Sequence, residues 1–248
     1  MTNRVWIVLA IVVNLCQGGE GQTKSDTVPF VGCPADGQTG YVPAPQGSPK
    51  VVVLDHALGR ALAYYRSDQA PGVFAPRGWY CRAWYGSSGS MVLVSPTPID
   101  STQFFPPKSR GPAVELEVSV AGTSGRFNVA AYGSRLFPDV LGKFVQSVMG
   151  EGLVPDSEFS LTKFAQDSVS RSGKWVAEFV TPAGSRGLGT AQLLDPSENP
   201  IRGVAVIHPD PEEPDMTIFR VRLGPSLLHL ERALLDVNRR CMQQDGGC

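Results

Sequence analysis

The hydrophobic and polar positions change texture three times along the chain. Arg4 precedes Val5–Val13, a run with no polar side chain, and the small-residue stretch Cys16-Gln-Gly18-Gly19-Glu-Gly21 follows. A positive start, a short apolar middle and small residues at a cleavage point are the parts of a secretory signal peptide, predicted over 1–21. An apolar stretch of about eleven residues reaches about 16 Å as a helix, half the hydrocarbon thickness, so no transmembrane segment is expected once the signal is cleaved. Residues 22–50 are rich in Gly, Pro, Thr and Gln and read as an irregular leader. Residues 51–248 read as a single α+β domain, with two fused lobes as the alternative.

Within that domain Asp55 is placed to cap a helix on which Leu58, Leu62 and Tyr65 recur at helical spacing. Strand texture then takes over at Gly72–Ala75. Trp79–Tyr85 and Met91–Ser95 flank the turn Gly86-Ser-Ser-Gly89 and predict a hairpin. Ala113–Val120 alternates at period two. Val114, Leu116, Val118 and Val120 face one way and Glu115, Glu117 and Ser119 the other, which predicts a strand with one wet face. A helical stretch from Ser124 to Gly150 is broken at Pro138, and its second part carries an apolar stripe of Val140, Leu141, Phe144, Val145 and Val148. Lys174–Val180 and Met216–Leu223 read as strands. Ala191–Leu194 and Ile201–Ile207 read as a hairpin around Asp195–Pro200. Pro225 opens a last helix bearing Leu227, Leu230, Leu234 and Val237. Successive hairpins with segregated helices predict an α+β fold: a mostly antiparallel sheet with helices packed on it.

Composition and charge narrow the function classes. Gly 27 and Pro 21 are too many for a helical bundle, yet the 42% hydrophobic share supplies a core, so global disorder is not predicted. Lys+Arg 22 against Asp+Glu 23 leaves a net charge of −1, which gives nucleic acid no basic footprint. Signal cleavage would remove Cys16 and leave Cys33, Cys81, Cys241 and Cys248. An even count in an oxidising compartment favours two disulfides, and four cysteines allow three connectivities. The favoured pairing is Cys241–Cys248, with Gly246-Gly247 to turn the chain, and Cys33–Cys81. Zinc fits poorly, because there is no Cys-x-x-Cys pair and the histidines number three.

Candidate chemistry is sparse. No Gly-x-Ser-x-Gly elbow occurs, and Ser160-Leu-Thr-Lys163 lacks the companion motifs of penicillin-recognising enzymes. His56 adjoins Asp55 at a helix start, and His229 sits on the outer side of the last helix. His208 precedes the acidic stretch Asp210–Asp215, which reads as a solvated connection whose charges resist edge pairing. Gly184-Ser-Arg-Gly-Leu-Gly-Thr190 lacks the Lys of a phosphate loop. The aromatic run Trp79–Tyr85 is the strongest candidate. As a strand it places Tyr80, Arg82 and Trp84 on one face, a stacking platform for a sugar or aromatic ligand. No cofactor is expected.

The stretches Phe30–Gln38 and Ala75–Cys81, with Gly187–Thr190 ahead of a hairpin, resemble an uncharacterised family of exported bacterial proteins. That resemblance supports pairing Cys33 with Cys81 and implies no activity. The strand order ending in a helix is loosely similar to PsbP-like exported domains, at the level of fold alone. Two functions follow as expectations. The first is a non-catalytic binding or accessory module, periplasmic or secreted, with an envelope or extracellular partner. The second is an exported hydrolase whose active site is assembled from distant segments.

Overall fold

Residues 25–100, 108–160, 162–210 and 212–244 are described by a computed structural model; the signal peptide expected at 1–21 and Cys248 lie outside them. In chain order the elements are β1 (Ser25–Val28), β2 (Phe30–Gly32), β3 (Ala35–Gly37), β4 (Lys50–Val53), α1 (His56–Ala61), β5 (Leu62–Ser67), β6 (Ala70–Pro76), β7 (Tyr80–Gly86), β8 (Gly89–Ser95) and β9 (Ala113–Ser119). They continue with α2 (Arg126–Leu136), α3 (Pro138–Gly150), β10 (Ser168–Arg171), β11 (Val176–Thr181), β12 (Ile201–His208), β13 (Asp215–Arg222) and α4 (Glu231–Met242). Eight strands form one sheet in the order β10-β11-β12-β13-β9-β8-β7-β3, antiparallel except for β3 on β7. The expected α+β class is the observed one.

Alternation along the central strands sends side chains to both faces of this sheet, and both are covered. Val92, Val114, Leu116, Val204, Val206, Phe219 and Val221 pack against the small sheet β2-β5-β6 and against Leu234, Leu235 and Val237 of α4. On the opposite face Ala177, Phe179, Ala205, Ile207 and Ile218 meet Val129, Tyr132 and Leu136 of α2 and Leu141, Val145 and Val148 of α3. Pro138 occupies the first turn of α3, where its missing N–H costs nothing, and so separates the two helices as expected. α4 also closes an edge of β6: Asn238 accepts from Phe74 N (2.9 Å) and donates to Phe74 O (3.0 Å), as a neighbouring strand would.

Several sequence expectations are corrected. The leader is irregular only in part: β1 pairs with β4, β2 lies parallel on β5 and β3 lies parallel on β7. Strands of three or four residues are too short to show a period, and Gly and Pro between them mask the pattern. The helix capped by Asp55, whose carboxylate accepts from Ala57 N at 2.7 Å, stops at Ala61. Leu62–Tyr65 is a continuous apolar run buried between β2 and β6, and such runs do not distinguish strand from helix by period. Ala191–Leu194 does not pair with β12, because both edges of β12 are occupied by β11 and β13.

Cys33, between β2 and β3, is disulfide-bonded to Cys81 on β7, with 5.3 Å between Cα atoms. This crosslink ties the leader to the large sheet at the point where it passes over from the small one. Cys241 is also disulfide-bonded, to a partner outside the described residues. For the 48-residue separation of Cys33 and Cys81, loop-closure entropy alone corresponds to about 4 kcal/mol. The Cys33→Ser/Cys81→Ser double variant is therefore expected to lower the denaturant-derived unfolding free energy by about 2–4 kcal/mol. A loss under about 1 kcal/mol would show that the leader is held by its strand pairing alone.

Candidate functional site

The polar face of β9 is not wet. Glu115 is fully buried and Glu117 is 2% exposed. Antiparallel pairing sets Arg220 of β13 directly opposite Glu115, and Ile218 opposite Glu117. α2 and the segment following β11 then cover this part of the sheet. The Arg220 guanidinium donates through one nitrogen, Nη1, to Glu115 Oε1 (2.5 Å) and Glu117 Oε2 (2.7 Å), and through Nε to Leu188 O (2.8 Å). Its Cζ lies 5.5 Å from the Tyr132 ring centroid. Glu115 Oε2 accepts from Leu193 N at 3.0 Å. Glu117 Oε1 accepts from Gln192 Nε2 (3.0 Å), Ser119 Oγ (3.3 Å), Tyr132 OH (3.3 Å) and Asn128 Nδ2 (3.4 Å).

Burial sets the electrostatics. Desolvation pushes the Glu115 carboxyl above the usual glutamate range, against the pull of Arg220. Desolvation and the charge of Glu117 push the Tyr132 phenol far up, so it stays a neutral donor. Burial alone would lower Arg220, but the two glutamates outweigh it and hold the guanidinium protonated. Isolated buried charges would be prohibitively costly; this group persists because almost every oxygen meets a donor.

Where this face reaches the β7–β8 hairpin it opens into a cleft of about 520 Å³ lined by Trp84, Met91, Glu117, Ser119, Asn128 and Gln192, with Asp36 at the rim. Trp84, Met91 and Glu117 form one cross-strand row beneath it. α2 starts at Gly125, whose position against Ser88 O and Val120 O leaves no room for a Cβ, and this close approach brings Asn128 to the cleft wall. Gln192 is delivered by a segment stapled from below. Asp167 accepts from Thr181 Oγ1 and from Leu188 N (2.8 Å), while Gly189 N donates to Thr181 Oγ1 (2.8 Å). A Cβ at Gly189 would stand 2.7 Å from Ile201 Cβ, so only glycine permits that approach. The glycine-rich run is thus used for internal packing.

The aromatic candidates separate. Trp84 lines the cleft but is 6% exposed, its rings packed with Leu93, Leu193 and Leu194, so little of it is open for stacking. Its indole Nε1–H is buried with no hydrogen-bond partner among the described residues. Arg82 is buried and donates to Asp36 Oδ2 at 3.2 Å, which places it behind the rim as a positioning group. Tyr80 is 52% exposed and does not line the cleft. Glu117, Asn128, Tyr132 and Gln192 carry no motif. The readable trace of the site is charge parity: Arg220 shares a face with Met216 and Ile218 and answers the carboxylates at 115 and 117, while Arg222 on the same face binds backbone oxygens.

The remaining candidates serve structure. His56 Nδ1 meets Asp26 Oδ2 at 2.9 Å on the surface, and His208 Nε2 meets Thr217 Oγ1 at 3.1 Å, outside the cleft. Asp210 Oδ1 accepts from the backbone of Glu212 and Glu213, both at 2.9 Å, and Asp215 Oδ1 from Ala121 N at 2.8 Å. Lys163 pairs with Glu158, not with Ser160. Among the described residues, no group of three or more His, Cys, Asp and Glu is arranged to hold a metal ion, and no helix is long and apolar enough to cross a membrane. No protein-family model, curated protein or solved structure matches this chain.

The raised Glu115 carboxyl has a pH consequence. Between the unfolded and the folded pKa the native state binds more protons than the unfolded state, so Glu115 removes stability as pH rises above the ordinary glutamate range of about 4.3. Glu115→Gln abolishes that contribution. Melting temperatures followed from pH 4 to pH 7 are expected to move in the variant's favour as pH rises. Parallel curves for the two proteins would contradict the raised value.

Proposed function

We propose that this chain is an exported, non-catalytic binding module that holds a small ligand in the cleft between the β7–β8 hairpin and α2. The observation that carries this reading is the Trp84 indole N–H, which is buried and unpartnered among the described residues, in the wall of a cleft whose floor is already fixed. An unsatisfied buried donor costs about 1–3 kcal/mol, a cost that a ligand acceptor would relieve by a small turn of the Trp84 ring toward the cleft it lines. The cleft volume of about 520 Å³ falls within the range of small-molecule sites.

Binding is favoured over hydrolysis by how the polar groups are engaged. Glu117 is the carboxylate at the cleft floor, and five donors converge on it. The nearest hydroxyl, Ser119 Oγ, donates to that carboxylate, and neither His56 nor His208 lines the cleft to serve as its base. Export is supported by the charged, apolar and small-residue pattern over 1–21 and by the disulfides, which persist in oxidising compartments.

The test is a binding screen of small sugars, amines, carboxylates and amides against the oxidised protein and Trp84→Phe, which keeps the ring packing and deletes the donor. Bound compounds are expected to lose about tenfold in affinity in the variant, consistent with one lost hydrogen bond of about 1 kcal/mol. Ligands that bind both proteins equally would place the site elsewhere and remove the proposal.

A further inference from the structure

Resting on the cleft reading, we infer that its ligand is an uncharged, hydroxyl-rich molecule, a sugar, gripped through its hydroxyl groups and not stacked on an aromatic face. The inference comes from counting which groups in the cleft are still unanswered. Both carboxylates that line it already have an arginine: Glu117 has Arg220 at 2.7 Å and Asp36 has Arg82 at 3.2 Å. A cationic ligand would find its counter-charges taken. An anionic ligand would face those two carboxylates in a lining that contains no Lys or Arg among the described residues.

What remains is neutral: the Gln38 amide, the Ser88 and Ser90 hydroxyls, and one further donor with two further acceptors. The donor is Trp84 Nε1–H. The acceptors arise because Asn128 and Gln192 direct their NH₂ groups at Glu117, and Gln192 also at Tyr132 OH (2.8 Å). Their carbonyl oxygens, Oδ1 and Oε1, receive no hydrogen bond from any described residue, on half-buried side chains that line the cleft. A hydroxyl accepts from the indole and donates to an amide carbonyl at once. An ammonium cannot accept, and a carboxylate or phosphate dianion cannot donate. Met91, half-buried beside Trp84 in the same cross-strand row, offers an apolar surface to the C–H face of a sugar ring. The grip is built in advance: Arg220 and Asp167 hold Leu188, four residues before Gln192, so binding orders little new structure. An aromatic platform, by contrast, would need Trp84 face-on, and its faces are buried.

A single scaffold in three charge states tests this. The oxidised protein would be titrated with glucose, glucosamine and glucuronate, with cellobiose as a longer neutral sugar and an N-acetylated amino-acid amide as a peptide mimic. Binding is read by NMR from the indole N–H resonance of Trp84, identified by its loss in Trp84→Phe. The neutral sugars are expected to shift that resonance at millimolar concentration, glucuronate to shift it at least tenfold more weakly, and Gln192→Ala, which also removes a hydrogen bond from buried Glu117, to weaken the neutral sugars about tenfold when measured below its own melting transition. If glucosamine or the peptide mimic moves the resonance and the neutral sugars do not, the sugar assignment falls while the cleft remains a binding site. If no compound of any charge moves it, both fall.

Discussion

Two carboxylates and one guanidinium, buried together on the face of β9 and β13, constrain much of the rest of the chain. Taking such groups out of water is repaid only if every charge is paired and nearly every lone pair is met, and breaking such a group by removing one partner typically costs about 3–5 kcal/mol. The molecule meets the requirement with parts from three separate stretches. β13 supplies Arg220, α2 supplies Tyr132 and Asn128, and the segment after β11 supplies Gln192 together with the backbone of Leu188 and Leu193. β9, whose glutamates need these partners, therefore dictates where α2 lies and how residues 188–193 cross the sheet. Hydrophobic packing alone would allow α2 to slide; a hydrogen bond from its first and second turns to one carboxylate does not.

The second constraint is the leader. It crosses from the small sheet to the large one within a few residues, adding β2 to β5 and β3 to β7, and the Cys33–Cys81 bridge sits at the crossing. β3 thereby becomes the edge strand of the large sheet, with Asp36 opposite Trp84 at the rim of the cleft. The crosslink thus contributes to the cleft as well as to stability, because it holds one wall of it.

The fold was readable wherever a period runs long enough. The strands at 80–86, 89–95 and 113–119, the helix break at Pro138 and the amphipathic C-terminal helix are all visible as alternation or as three-four spacing. The short leader strands were hidden because three residues show no period, and β5 because a strand buried on both faces resembles a buried helix. The site was harder for a different reason. Alternation in Ala113–Val120 separates two faces correctly but does not say whether the polar one meets water or a partner. That answer lies a hundred residues away, in the parity of Arg220 and Arg222, and becomes legible only once β13 is known to be the neighbour of β9 in that register. Trp84 is readable as a candidate from its own strand. Gln192 is not, because its place depends on Asp167 and Gly189 drawing the chain down onto the sheet.

A buried ionic group of this kind is seldom the most stable way to fill a core, since well-packed apolar residues of similar volume often do as well or better. Its position makes sense of it. One oxygen of Glu117 gathers Ser119, Asn128, Tyr132 and Gln192, while the other is anchored to Arg220. The carboxylate therefore acts as an orienting centre. By taking the NH₂ ends of two amides it leaves their carbonyl ends without a described partner and fixes a pattern of acceptors that flexible surface amides would not hold. Preorganisation of that kind reduces what must be ordered when a ligand arrives, and it requires the orienting group to be rigid and shielded from water. The stability forgone in burying two glutamates beside one arginine is thus the physical counterpart of a cleft whose polar pattern is fixed by the fold.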